Sequence, residues 1–300
     1  MSNAPHPETL DPNNETLAAQ ARTDAFLHQV NEQITLGTFD PNDAESLQRL
    51  VEEGLGDTRG LVRLRAAETL GDIGEPATPF LVKALANHAD VVVRRAAAKT
   101  LTLIADPTAV PTLLKAFLYD EDTVVQGSAA GALARTGETA VPALLEILAA
   151  SEHPESTKGH AAWALAFIGA EAAELLYPAL ESDSVDVRCA AVGAIAQVAQ
   201  EKNDVRACEQ LVSALTDAAA VIRTEAAAAL GQLNYAPALP HLILALRDAD
   251  SEVRQAAVTT LGKVGDATTL APLQSMLEDP MESIRVLAKL AMGQIERRQA

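Results

Sequence analysis

Aromatic side chains make up only 3% of the 300 residues, with one Trp, three Tyr and five Phe, so any core must be filled by aliphatic side chains. Cysteine is nearly absent. Cys189 and Cys208 form neither a CxxC pair nor part of a histidine cluster, so no metal or redox site is announced and two reduced structural cysteines are expected. Cations are scarce as well, since 23 Lys and Arg against 41 Asp and Glu leave a formal net charge of −18. That field opposes phosphate backbones and anionic bilayers, so nucleic acid is not an expected partner. No apolar run approaches the roughly 18 residues of a membrane span, and the N-terminal stretch shows no basic region followed by an apolar core. No membrane insertion is expected, and the cytoplasm is the expected location. GxGxxG, GxxxxGK[ST], GxSxG and HExxH are all missing.

What the sequence has instead is repetition. The stretch Val62 to Gly74 returns in recognisable form to the C-terminal end, and its basic residue recurs as Arg63, Arg94, Gln126, Lys158, Arg188, Arg223, Arg254 and Arg285. The steps are 31, 32, 32, 30, 35, 31 and 31 residues, a period that marks stacked helical pairs. Eight copies follow one another. The predicted fold is all-α: a right-handed α-solenoid of about eight helical-pair repeats over 57–300, an N-terminal helical cap over 16–56 and a disordered tail over 1–15. The tail is rich in Pro, Asn, Asp and Glu, while the cap has helical apolar spacing over Glu15–Leu36 and Ala44–Leu55 without the repeat signature.

Counted from the basic residue, positions +3, +7 and +10 are apolar or small in copy after copy, beginning with Ala66, Leu70 and Ile73. At 100° per residue they lie on one stripe, which predicts the core face. Position −6 is Asp57, Asp120, Asp217, Asp248 or Asp279 in five copies. An aspartate there sits in a turn, where it can accept from backbone N–H groups and pair with the Arg of its own or an adjacent layer. Layer-by-layer repetition makes this a structural ladder rather than acid–base chemistry. Pro79, Pro111, Pro142, Pro240 and Pro272 mark early positions of the second helices. Gly74, Gly137, Gly169 and Gly265 are expected to close first helices in left-handed conformations, and the long 35-residue step predicts a surface loop near Glu201–Asp204.

These residues resemble HEAT-type repeats, and specifically the short HEAT-like repeat of phycobilisome lyases, over about residues 45–300. The resemblance implies that the helix carrying Val-Arg lines a concave surface. It also implies a protein-binding scaffold, a bilin lyase-like factor or chaperone holding a phycobiliprotein subunit, with a linear tetrapyrrole as a ligand that is not tightly bound. Lyase subunits of this kind often carry an aromatic-rich Tyr-Tyr-Ala-Ala-Trp-Trp run; the nearest segment here is Gly159-His-Ala-Ala-Trp-Ala-Leu-Ala-Phe-Ile168. No chemistry of the chain's own is expected, or else lyase-type chemistry, and a hetero- or homodimer is compatible with the family. A non-enzymatic adaptor for another client, such as a cofactor-assembly or signalling protein, stays open beside it.

With the core stripe turned inward, positions +1, +2, +5 and +9 point into the groove. They are Leu64, Arg65, Glu68 and Asp72 in copy one, and Arg95, Ala96, Lys99 and Leu103 in copy two. The middle copies change character: Gly127, Ser128, Gly131 and Arg135, then Gly159, His160, Trp163 and Phe167, then Cys189, Ala190, Gly193 and Gln197. Glycine inside a helix costs roughly 1 kcal/mol against alanine, so these glycines need a reason. They either flatten the groove for a partner segment or flat ligand, with Trp163 and Phe167 as anchors and His160 and Arg135 as polar contacts, or they relieve crowding where the superhelix curves tightly while Trp163 packs within the chain. Gly127, Gly131, Arg135, Gly159, His160, Trp163, Phe167, Cys189 and Gly193 form the candidate groove, and no catalytic or metal-binding residue is expected. Val286, Leu287 and Leu290, apolar at groove positions of the last copy, fit either a partner contact or a packed end.

Overall fold

The computed structural model describes residues 12–299, and every regular element among them is helical. Most of the expected tail lies outside the described residues, but the first helix already begins at Pro12. The chain divides into two compact units, Met1–Thr136 and Gly137–Ala300. The first holds α1 (Pro12–Thr35), α2 (Ala44–Arg49, prolonged by a wider turn to Gly54), α3 (Gly60–Ile73), α4 (Thr78–Asn87), α5 (Val91–Ile104), α6 (Val110–Tyr119) and α7 (Thr123–Arg135). The second holds α8 (Val141–Ala149), α9 (Glu155–Ile168), α10 (Ala173–Leu176), α11 (Val185–Lys202), α12 (Val205–Ala214), α13 (Ala220–Leu233), α14 (Leu239–Ala245), α15 (Ser251–Val264), α16 (Leu270–Ser275) and α17 (Glu282–Gln299).

Within the first unit α1 packs on α3, α3 on α5 and α5 on α7; within the second, α9, α11, α13, α15 and α17 follow in the same manner. The odd-numbered helices therefore stack, and each from α5 on packs against the shorter helix that precedes it in the chain. Alanine at +3 makes the close approach possible, since all eight of these methyl groups, from Ala66 to Ala288, are 0% exposed. Position +7 is fully buried from Leu70 to Leu261 and half-exposed only at Met292. Position +10 departs from the expected stripe. Ile73, Ile104, Leu233 and Val264 are half-buried there because they occupy the last turn, where the helix is running out of neighbours.

Helix starts and stops follow local chemistry. Asp90, Asp122, Ser184, Asp204 and Asp250 each accept backbone N–H bonds from the first turn that follows them. Proline occupies the second residue of α4, α6, α8 and α14, and the third of α16, where no intrahelical N–H bond is needed. Gly74, Gly137 and Gly169 have positive φ as expected, whereas Gly265 has φ of −70° and is extended. Ala105, Asn203 and Asn234 take the left-handed position in other copies. The 35-residue step yields no longer loop. Its extra residues lengthen α11 to Lys202, Asn203 closes the helix and Asp204 caps the next one.

The aspartate ladder runs between layers. Arg94 reaches Asp120 at 3.0 Å, Arg188 reaches Asp217 at 2.8 Å, Arg223 reaches Asp248 at 2.7 Å and Arg254 reaches Asp279 at 2.8 Å. Each of these arginines also donates from Nη1 to a carbonyl six residues before it, tying its own turn to the following one. No copy pairs its Arg with the −6 carboxylate of its own layer. Asp57 instead pairs with Arg59, and Lys158 reaches Asp186 at 2.6 Å.

Candidate binding faces

Gly127, Gly131 and Arg135 are spaced by four residues on α7, so they form one strip along the helix. Neither glycine is required by packing: a Cβ built on either meets nothing within 4 Å. Arg135 ends the strip, exposed and in the last turn, where a cation suits the helix dipole. Beside it on α5 lie Lys99 and Leu103, both exposed. Arg95 on the same helix is held by Asp122, its Nε 2.8 Å from Oδ1. That bidentate contact and the two backbone N–H groups of the α7 cap keep the Asp122 carboxyl far below the usual carboxylate range.

Gly159, Trp163 and Phe167 have the same four-residue spacing on α9. Trp163 is 51% exposed and Phe167 50%, so neither ring belongs to the core. Their centroids are 5.7 Å apart with planes tilted by 36°, a favourable aromatic arrangement that leaves outer faces free. Gly159 one turn earlier, and Gly193 on the adjacent α11, would each accept a Cβ without contact. His160 turns its Nδ1 to the Ser156 carbonyl at 2.8 Å, which leaves its ring at the edge of the strip.

The open space around all four glycines argues against their serving to relieve crowding. Crowding does explain other glycines: a Cβ on Gly231 would come within 2.8 Å of Thr260, and one on Gly262 within 2.9 Å of Ala291. The first group lies at +1 and +5, the second at +8, facing the neighbouring layer. The structure thus places the nine candidate residues on two faces, Gly127, Gly131 and Arg135 in the first unit and the remaining six in the second. Two expected groove positions differ in detail. Ala190 is buried, its methyl too short to reach past its neighbours, and Cys189 is half-buried. Burial, reinforced by Glu225 and Asp186, pushes the Cys189 thiol above its ordinary value, so it stays protonated near neutrality. Among the described residues no group of three or more His, Cys, Asp and Glu could hold a metal ion, and no helix is long and apolar enough to cross a membrane.

Stacked two-helix layers tied by an Arg–Asp ladder define the class, a HEAT-type α-solenoid. Comparison with known proteins agrees. HEAT repeats match over 78–166, 116–196, 173–243 and 239–300, and the PBS lyase HEAT-like repeat matches over 62–87. Bilin biosynthesis protein MpeU of Synechococcus sp. (strain WH8020) is 42% identical over 205 residues, which are 68% of each chain. The chain belongs to the HEAT-repeat proteins of the phycobilisome-lyase HEAT-like family. Among solved structures, a mutant of Kap121p is 14% identical with a TM-score of 0.59, covering 96% of this chain and 36% of that one, a likeness of fold alone. The complex of CpcE and CpcF of phycocyanin lyase from Nostoc sp. PCC7120 is 24% identical with a TM-score of 0.35, covering 83% of this chain and 94% of that one.

Proposed function

We propose that this chain is a bilin lyase-like scaffold that holds a phycobiliprotein subunit, with a linear tetrapyrrole as a ligand. The observation that carries the reading is the half-exposed Trp163–Phe167 pair, set between glycines that packing does not require. In a chain with only nine aromatic residues, placing its one Trp on a groove face gives up burial that the core would reward by about 2–3 kcal/mol. A partner that covers the indole recovers it, and aromatic side chains are frequent anchors of such contacts. The 42% identity to a bilin biosynthesis protein supports the tetrapyrrole as the ligand.

The role is one of holding. Burial holds both Cys189 and Cys208 above their ordinary values, which suits a chain whose contribution to bond formation is to orient a reactive tetrapyrrole beside an acceptor supplied by the client. The test is co-expression with a bilin-producing pathway and phycobiliprotein subunits, followed by affinity capture, mass spectrometry and visible absorbance. Capture of a phycobiliprotein subunit, lost in a Trp163→Ala/Phe167→Ala variant that keeps its helical content, is the expected result. Colourless protein that captures a different client would establish the adaptor reading instead.

A further inference from the structure

We infer that the first unit carries a carboxylate-reading subsite for that ligand, made by Lys99 of α5 and Arg135 of α7 over the open floor of Gly127 and Gly131. The inference rests on the tetrapyrrole reading above and names how its acid groups are recognised.

Three observations converge on this spot. The first is unneutralised charge. The other cations of the neighbouring groove face are neutralised, since Arg94 and Arg95 on α5 are held by Asp120, Glu121 and Asp122. Lys99, one turn along the groove face from Arg95, and Arg135 are both exposed and form no ion pair among the described residues. Glu68 and Asp72 on the adjacent α3 approach neither of them to ion-pair distance.

The second is free space. Lys99 holds the same repeat position, +5, that Gly131 holds on the helix packed against it, and Arg135 follows Gly131 by one turn. The two cations therefore flank a floor with no side chain, and the missing Cβ atoms leave room that a planar body can fill. The third is an apolar wall. Leu103, one turn beyond Lys99, is 58% exposed and rests against Gly71.

A flat apolar body carrying two carboxylates matches all three, and a linear tetrapyrrole with its two propionates is a molecule of that kind. The guanidinium of Arg135 takes one carboxylate as a fork and the ammonium of Lys99 takes the other as a point charge. A neutral flat ligand would use the floor and Leu103 but leave both cations unanswered.

The experiment is an absorbance titration of the full chain with biliverdin and, separately, with its dimethyl ester. The wild type is expected to bind the diacid at least about tenfold more tightly than the ester, as charged hydrogen bonds of ordinary strength would give. Lys99→Met and Arg135→Met are each expected to weaken the diacid about tenfold and to leave the ester unchanged, while Arg135→Lys retains part of the affinity. Both side chains are exposed and unpaired, so thermal melting by circular dichroism should match wild type; Lys99→Gln and Arg135→Gln serve if either Met variant melts early. Equal affinity of the double variant and the wild type for the diacid would overturn the subsite while leaving the tetrapyrrole reading in place. Equal affinity of the wild type for diacid and ester would do the same. A wild type that binds neither compound would overturn both, with the captured-client experiment then deciding the scaffold role by itself.

Discussion

The Arg254 guanidinium holds the Asp279 carboxylate of the following layer at 2.8 Å while its Nη1 donates to the Asp248 carbonyl at 2.9 Å. Asp279 in turn accepts from the Met281 N–H at 2.8 Å, so one arginine fastens two successive turns. The Asp279 side chain is only 3% exposed and that of Arg254 14%, which places the pair beyond the weak surface class. Asp279→Ala strands the guanidinium and frees the turn, and is expected to cost roughly 2–4 kcal/mol in urea unfolding. Asp279→Asn, which keeps an acceptor for Met281, should lose less.

The same ladder sets the acid limit. Asp217, Asp248 and Asp279 are each held below the usual carboxylate value, chiefly by hydrogen bonds from Arg188, Arg223 and Arg254. Folded values below the unfolded one, near 3.9, give stability that is fully present above that pH and is lost as pH falls through the folded values. Melting temperature should therefore hold from pH 7 to about pH 4.5 and drop below about pH 4. An Asp248→Asn variant should begin lower and show a shallower acid decline, as read by differential scanning calorimetry.

Cys189 is half-buried on α11, at a position expected to face the groove. Burial and the nearby Glu225 and Asp186 raise its value, so alkylation by iodoacetamide at neutral pH should be slower than for an ordinary cysteine. The rate should rise with an apparent midpoint above that of an exposed, ordinary cysteine, measured by mass spectrometry of the Cys189 peptide beside a model thiol. A midpoint below neutrality would restore this thiol as a candidate nucleophile.

Stacking is legible in the sequence because the constraint it obeys is local and repeated: a methyl at Ala66, Ala97 and each later equivalent is the largest group the helix spacing admits. Trp163 and Phe167 are readable as outward for the same reason, since they fall at +5 and +9 and miss the core stripe. The partner of each aspartate is not readable, because the spacing puts a carboxylate within reach of its own arginine and of the preceding one; only the layer separation selects the second. Nor is the length of α11. Glu201 and Lys202 look like loop residues but have helical propensity, and nothing stops the helix before Asn203 with φ of 50°. Ala105 in a left-handed conformation has no signal at all, since alanine does not favour it. Lys99 is visible as a groove residue, yet its lack of an acidic partner emerges only from the distances.

Glycines of two kinds make opposite predictions. Gly131 and Gly193 have space for a methyl group, so Gly131→Ala and Gly193→Ala should each raise stability by about 0.5–1 kcal/mol through helix propensity. Gly231→Ala would drive its Cβ against the Thr260 hydroxyl, which donates to the buried Ala227 carbonyl at 2.8 Å, and Gly262→Ala would meet Ala291; each should lose about 1–3 kcal/mol. Urea unfolding of the four variants separates the classes. The informative case is Gly193→Ala, because a more stable protein that captures less client could not be explained by damage to the fold. A protein both stabilised and unimpaired in capture would mean that the bare surface beside Trp163 does not matter to the partner.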